Sequence, residues 1–210
     1  MRSTTQAEVV EGLLGVGALK VGDFVLSSGR RSGYYLDLRL IPSHPHLYKL
    51  VLEAYREMAE RMGTDNYEVV AGVATSGLLM ASPLAVSLGK PLLYVRNEEK
   101  GHGTRRLVEG EAAPGSRALL VDDLATSGGS LAESVSKLRA FGLLVTDALV
   151  LVDRLEGASS RLHDLGVRLT SFITVEDIAP SLKKSGGVQE EGKSPGSSNI
   201  KGPGVEESLR

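Results

Sequence analysis

Two aspartates stand directly before a run of small residues in RALLVDDLATSGGS (117–130), and the two halves of that stretch suit opposite charges. Asp122 and Asp123 are able to accept hydrogen bonds from sugar hydroxyls, or to hold Mg2+ through water or hydroxyls. Leu124 and Ala125 lead into Thr126, Ser127, Gly128, Gly129 and Ser130. There, two glycines let successive backbone N–H groups converge at the positive end of the helix that follows, and three hydroxyls add donors. A ligand with a phosphate at one end and a diol in its middle satisfies both signs, which is the layout of a ribose 5-phosphate group. The ordinary alternative is a strand-to-helix connection in which an aspartate caps the helix.

Three more groups of residues are able to do chemistry. Between Leu93 and Val108 the chain carries Arg96, Lys100, His102, Arg105 and Arg106 with two glycines and little apolar content. Such a run is usually a solvated surface loop. As a cationic lid it would fold over a pyrophosphate and exclude water, with His102 donating a proton or hydrogen bond to the leaving group. Arg154 ends the apolar run LVTDALVLVD, where its guanidinium suits a carbonyl or carboxylate through paired donors, or else pairs with Asp153 or Glu156. Tyr34 and Tyr35 are either strand packing or a wall for a flat ring.

The elements that must place these residues alternate regularly. Residues 6–19 show roughly helical apolar spacing, and 24–40 read as two short strands around a Ser-Gly turn. Residues 44–63 form a helix ending on Gly63. Then follow the strand YEVVAGV, the helix GLLMASPLAVSLG, the strand KPLLYVR, the strand SRALLVDD, the helix SLAESVSKLRAFG, the strand LLVTDALVLVD, the short helix SSRLHDLG and the strand VRLTSFITV. Strands such as ALLV and ALVLV are apolar on both faces, as buried parallel strands are. The expected class is α/β with a mostly parallel central sheet flanked by helices. In such sheets ligands bind beyond the carboxyl ends of the strands, where Asp122, Asp123 and Arg154 all fall. The expected organisation is an N-terminal helix and hood over 1–43, an α/β core over 44–184, and a disordered tail over 185–210, where Gly, Ser, Pro and charge leave almost nothing to bury.

Bulk properties narrow the choices. Twenty-four Lys and Arg against 26 Asp and Glu give a net charge of −2, without the basic excess of a general nucleic-acid binder. The absence of cysteine excludes disulfides and thiolate metal sites. No apolar run approaches the length needed to span a bilayer. The expectation is a cytoplasmic protein that binds neither membrane nor nucleic acid.

VDDLATSGGS resembles the 5-phosphoribosyl-1-pyrophosphate (PRPP) signature of type I phosphoribosyltransferases: a hydrophobic strand, two acids, then T-x-G-G-[ST]. It is neither a Walker loop nor a Rossmann fingerprint. Three other stretches are similar to the orotate phosphoribosyltransferase branch. FVLSSGRRSGYYLDLR (24–39) resembles its hood segment. VRNEEKGHGTRRLVEG (95–110) resembles its mobile catalytic loop, and LVDRLEG (151–157) its V-D-R-x-E-G strand end. AGVATSGLLMA (71–81) fits the turn expected to cradle pyrophosphate.

The resemblance implies the type I phosphoribosyltransferase fold and transfer of the phosphoribosyl group from PRPP to N1 of orotate, with Mg2+ carried mainly by PRPP near Asp122 and Asp123. It implies PRPP contacts from Arg96, Lys100, His102 and residues Asp122 to Ser130, with Lys100, His102, Asp122 and Asp123 as the catalytic set. Orotate would meet Thr126, Arg154, Tyr34 and Tyr35. It also implies a homodimer whose lid acts on the neighbouring site. Ser27 and Asn97 depart from the best-known bacterial pattern, and Ser76 stands where some members place lysine, so candidate pyrophosphate contacts are lost there. The alternatives are a phosphoribosyltransferase for another base and a PRPP-sensing transcriptional regulator. The hood and V-D-R-x-E-G segments argue against the first. The short stretch before the hood and the lack of basic excess argue against the second. The length leaves no room for a fused decarboxylase.

Overall fold

The computed structural model describes residues 4–25, 31–96 and 106–186, the last six of them through their backbone. The first helix, α1 (Gln6–Gly15), starts on a reciprocal cap: the Glu8 N–H donates to Thr5 Oγ1 at 3.2 Å, and the Thr5 N–H donates to the Glu8 carboxylate at 3.0 Å. It does not reach residue 19 as its apolar spacing predicts. Gly17 adopts a left-handed φ of 71°, which turns the chain so that Leu19 opens a strand instead. That strand, β1 (Leu19–Val25), pairs antiparallel with β2 (Arg31–Leu36) in a separate two-stranded hood.

Helix α2 (Pro45–Met62) buries Leu47, Val51, Ala54, Tyr55 and Met58 at three- and four-residue spacing, and Gly63 ends it at φ 87°. The alternating region follows as β3 (Val69–Val73), α3 (Ser76–Leu88), β4 (Leu92–Val95), β5 (Val108–Glu109), β6 (Arg117–Val121), β7 (Leu124–Ala125), α4 (Gly129–Ala140), β8 (Leu144–Asp153), α5 (Ala158–His163) and β9 (Arg168–Thr174). A last helix, α6 (Val175–Gly186), was not legible in the sequence because Pro180 inside it reads as a breaker. Its first turn is held by Asp177, whose carboxylate accepts from the Thr174 N–H and hydroxyl at 2.7 and 2.9 Å. Ser185 and Gly186 therefore belong to a helix; the remainder of the expected tail, 187–210, lies outside the described residues.

The sheet runs β5-β4-β3-β6-β8, with β9 on the far side of β8. All pairs are parallel except β4 with β5, which confirms the expected class. Side chains alternate between two cores. Val70, Leu119, Val121, Leu149 and Leu151 face a layer that includes α1, α2, α3 and α6. Ala71, Val73, Leu120, Ala148 and Val150 face a layer built on α4 and α5. A strand apolar on both faces is what this sandwich demands, and β8 is buried continuously from Asp147 to Asp153.

Candidate functional site at the carboxyl edge of the sheet

The carboxyl ends of β6 and β8 meet at the two aspartates. The ladder continues past β6, with the Asp122 N–H donating to Leu149 O at 3.0 Å, but it does so irregularly. Asp123 O accepts from both the Leu151 and Val152 N–H groups, at 3.1 and 3.2 Å. Pairing then resumes as β7, with Leu124 opposite Val152 and Ala125 opposite Asp153. One strand thus becomes two, with the acids at the break.

Asp122 is almost fully buried, and its neighbour is partly so. Its backbone carbonyl accepts from the buried Tyr55 hydroxyl at 2.6 Å, and its Oδ1 accepts from the Asp123 N–H at 3.0 Å. Helix α3 closes on it from the side: a Cβ on Gly77 would lie 2.6 Å from Asp122 Oδ1 and 2.7 Å from Val121 O. Only glycine permits this approach. Burial, followed by the charge of Asp123, pushes the Asp122 carboxyl well above its ordinary value. Burial also raises Asp123, and Arg39 is among the weaker influences that lower it. A diol or a metal ion placed at this pair would favour its charged form.

Thr126, Ser127 and Gly128 form the turn into α4, which Gly129 and Ser130 begin. Gly128 sits at a left-handed φ of 76°, and a Cβ there would lie 2.8 Å from Ala158 Cα. Thr126 O accepts from the Ala158 N–H at 3.2 Å, and Gly128 O from the Ala132 N–H at 2.9 Å. The turn is therefore fastened to α5 on one side and α4 on the other, with Ser127 and Ser130 exposed.

Arg154 follows β8, and its N–H donates to Ala125 O at 2.9 Å, which puts it beside Thr126. Of the partners the sequence offered, the guanidinium takes Glu156, at 3.0 Å from Nη2. The Tyr34 ring of the hood lies over it, 5.1 Å from ring centroid to Cζ. The two tyrosines divide as strand alternation requires: Tyr34 is buried toward the core, whereas Tyr35 points outward and packs against Phe24 with ring centroids 5.7 Å apart. Asp37 and Arg39, which follow β2, pair at 2.7 Å.

Arg96 stands just past β4. Its N–H donates to Leu107 O at 2.8 Å, its carbonyl accepts from Lys137 Nζ at 2.9 Å, and its guanidinium lies 3.7 Å from Glu109. Ser76 opens α3 close to the aspartates. Lys100, His102, Arg105, Ser27 and Asn97 lie outside the described residues. The structure thus gathers Asp122 to Ser130, Arg154 and Tyr34 at one edge. Tyr55 and Gly77, which hold Asp122 from behind, were not anticipated: a buried tyrosine on an amphipathic helix and a glycine near a helix start carry no signal of what lies opposite.

Asp122 and Asp123 are the two side chains here whose chemistry fits a magnesium ion. Among the described residues no group of three or more His, Cys, Asp or Glu side chains is arranged to hold one. Two adjacent carboxylates are the usual protein share for Mg2+, which takes its other ligands from water and substrate phosphates. Among the described residues no helix is long and apolar enough to cross a membrane.

Residues 41–177 match the phosphoribosyl transferase domain family. The chain is 46% identical over 171 residues to an orotate phosphoribosyltransferase of Cenarchaeum symbiosum, covering 81% of this chain and 86% of that one. It is 42% identical over 186 residues to one of Sulfolobus acidocaldarius, covering 89% and 92%. The crystal structure of orotate phosphoribosyltransferase from Aeropyrum pernix superposes with a TM-score of 0.77 at 45% identity, covering 84% of this chain and 98% of that one.

Proposed function

The chain belongs to the orotate phosphoribosyltransferase family, and from that premise we propose how its residues share the work. The reaction joins the phosphoribosyl group of PRPP to N1 of orotate, giving orotidine 5′-monophosphate and pyrophosphate. The observation that supports the assignment of roles is the convergence of Asp122, Asp123, the 126–130 turn and Arg154 at the carboxyl edge, where β6 gives way to β7 beside β8.

In this reading the 126–130 turn binds the 5-phosphate through backbone N–H groups and hydroxyls. Asp122 and Asp123 accept hydrogen bonds from the ribose hydroxyls and add negative potential beside the anomeric carbon. Bond breaking there runs ahead of bond making, through an oxocarbenium-like state, so carboxylates favour the charge that develops. Arg154 and Thr126 orient orotate, and Tyr34 closes the hood over Arg154. Orotate is already electron-rich, so the protein supplies alignment rather than a strong base. Arg96, Lys100 and His102 neutralise the departing pyrophosphate. Mg2+ bound with PRPP would add charge neutralisation on the same leaving group, with Asp122 and Asp123 the nearest protein carboxylates.

A homodimer in which Arg96, Lys100 and His102 of the 95–110 segment serve the neighbouring site belongs to the same proposal, resting on the family resemblance. The cytoplasm as its compartment rests on the cysteine-free, evenly charged sequence. The test is a steady-state assay with PRPP, Mg2+ and orotate, following loss of orotate absorbance, with adenine, hypoxanthine and uracil as controls. Turnover of orotate alone, abolished in Lys100→Ala, is expected. PRPP binding without turnover of any base would overturn the reading.

A further inference from the structure

Glu156 has no place in the roles above, yet it holds the guanidinium assigned to orotate. The chain leaves β8 at Asp153, a buried side chain whose Oδ1 accepts from the Leu155 N–H at 2.8 Å. Leu155 then takes a left-handed φ of 56° and is the one non-glycine residue with positive φ among the described residues. For a leucine, whose Cβ crowds the following carbonyl there, this conformation is strained. What it accomplishes is a sharp turn in which Glu156 Oε1 comes back to Arg154 Nη2 at 3.0 Å.

The pair is not an ordinary surface contact. The Arg154 and Glu156 side chains are 13% and 24% exposed, so screening by solvent is weak. The Tyr34 ring covers the guanidinium, and Arg154 Nε is buried without an acceptor among the described residues. Arginine has several rotatable bonds, and freezing them when the ligand arrives would weaken binding. Here a carboxylate at one end and a ring over the face freeze them in advance.

We propose that Glu156 is a positioning residue for orotate: its ion pair, built on the left-handed turn at Leu155, presets the Arg154 guanidinium beneath Tyr34 so that its remaining donors meet the pyrimidine already oriented. This rests on the reading of Arg154 as an orotate contact. In this proposal Glu156 acts through Arg154, so its removal is expected to raise the orotate KM and to leave the PRPP KM alone.

The experiment compares Glu156→Ala, Glu156→Gln and Arg154→Ala in the full chain, measuring kcat and both KM values with Mg2+ present. In Glu156→Ala the orotate KM is expected to rise about five- to ten-fold, in the upper part of the range set by one freely rotating long side chain. Its PRPP KM and kcat stay within about two-fold. Glu156→Gln keeps an oxygen that accepts from Nη2, so its orotate KM returns to within about three-fold of the parent. An orotate KM that is unchanged or lower in Glu156→Ala, while Arg154→Ala raises it, overturns the positioning role. A parallel rise in both KM values with a lower Tm also overturns it, because it marks a general structural part. No effect of Arg154→Ala on the orotate KM removes the underlying assignment of Arg154 instead.

Discussion

The two aspartates show how a side chain is held in a state that it would not choose in water. Asp122 is buried with a like charge beside it, and its proton affinity rises accordingly. In the unfolded chain an aspartate titrates near 3.9. Between that value and the raised folded one the native state binds more protons, so stability contributed by this residue falls as pH rises through the window. Asp122→Asn is therefore expected to raise the Tm of the protein without PRPP and Mg2+ at pH 7.5. The gain should fade on acidification and vanish below about pH 4; thermal denaturation at several pH values reads this directly. The same variant should lose turnover, since stability and function oppose each other at such sites. Asp123→Asn, at the more accessible carboxylate, is expected to cost about ten- to a hundred-fold in kcat/KM for PRPP, the worth of one hydrogen bond to a charged group.

Elements place these residues through contacts that leave no room for a Cβ or a missing hydroxyl. Gly77 lets the start of α3 rest against Val121 O and Asp122. Gly77→Ala must displace backbone rather than a flexible side-chain end, so about 1–3 kcal/mol of stability should be lost in denaturant titration. Tyr55, on the far side, donates its hydroxyl to Asp122 O from a fully buried position. Tyr55→Phe leaves that carbonyl unpaired and should cost about 1–3 kcal/mol. If both variants prove neutral, neither contact holds the aspartates and the β6–β8 ladder does. The early part of the chain illustrates the limits of spacing. The apolar pattern of 6–19 reads as one helix, but the left-handed Gly17 divides it between α1 and β1. Pro180 hid α6, whose Ile178 is nevertheless fully buried.

At the scale of the whole molecule, β8 ties both cores and the site together. Leu149 faces the layer of α1, α2, α3 and α6, while Val150 faces that of α4 and α5, and the strand ends beside Arg154. Leu149 is fully buried, and Leu149→Ala is expected to cost about 2–5 kcal/mol. Because one strand serves both layers, the loss should appear as a single shifted transition, coincident by circular dichroism and by tyrosine fluorescence. Two separated transitions would show that the layers unfold independently.

The alternation of strands and helices, the mostly parallel sheet and the carboxyl-edge location of the acids and Arg154 were all legible in the sequence. These follow from local chemistry, in apolar runs that need burial on both faces. Tertiary structure alone decided which of Asp153 and Glu156 takes Arg154, which tyrosine faces inward over it, and what stands behind Asp122. Those outcomes depend on the left-handed turn at Leu155, the register of the hood strands and the depth to which α3 approaches β6. Each is fixed by groups far apart in the chain competing for the same few ångströms, and no local window of residues contains that competition.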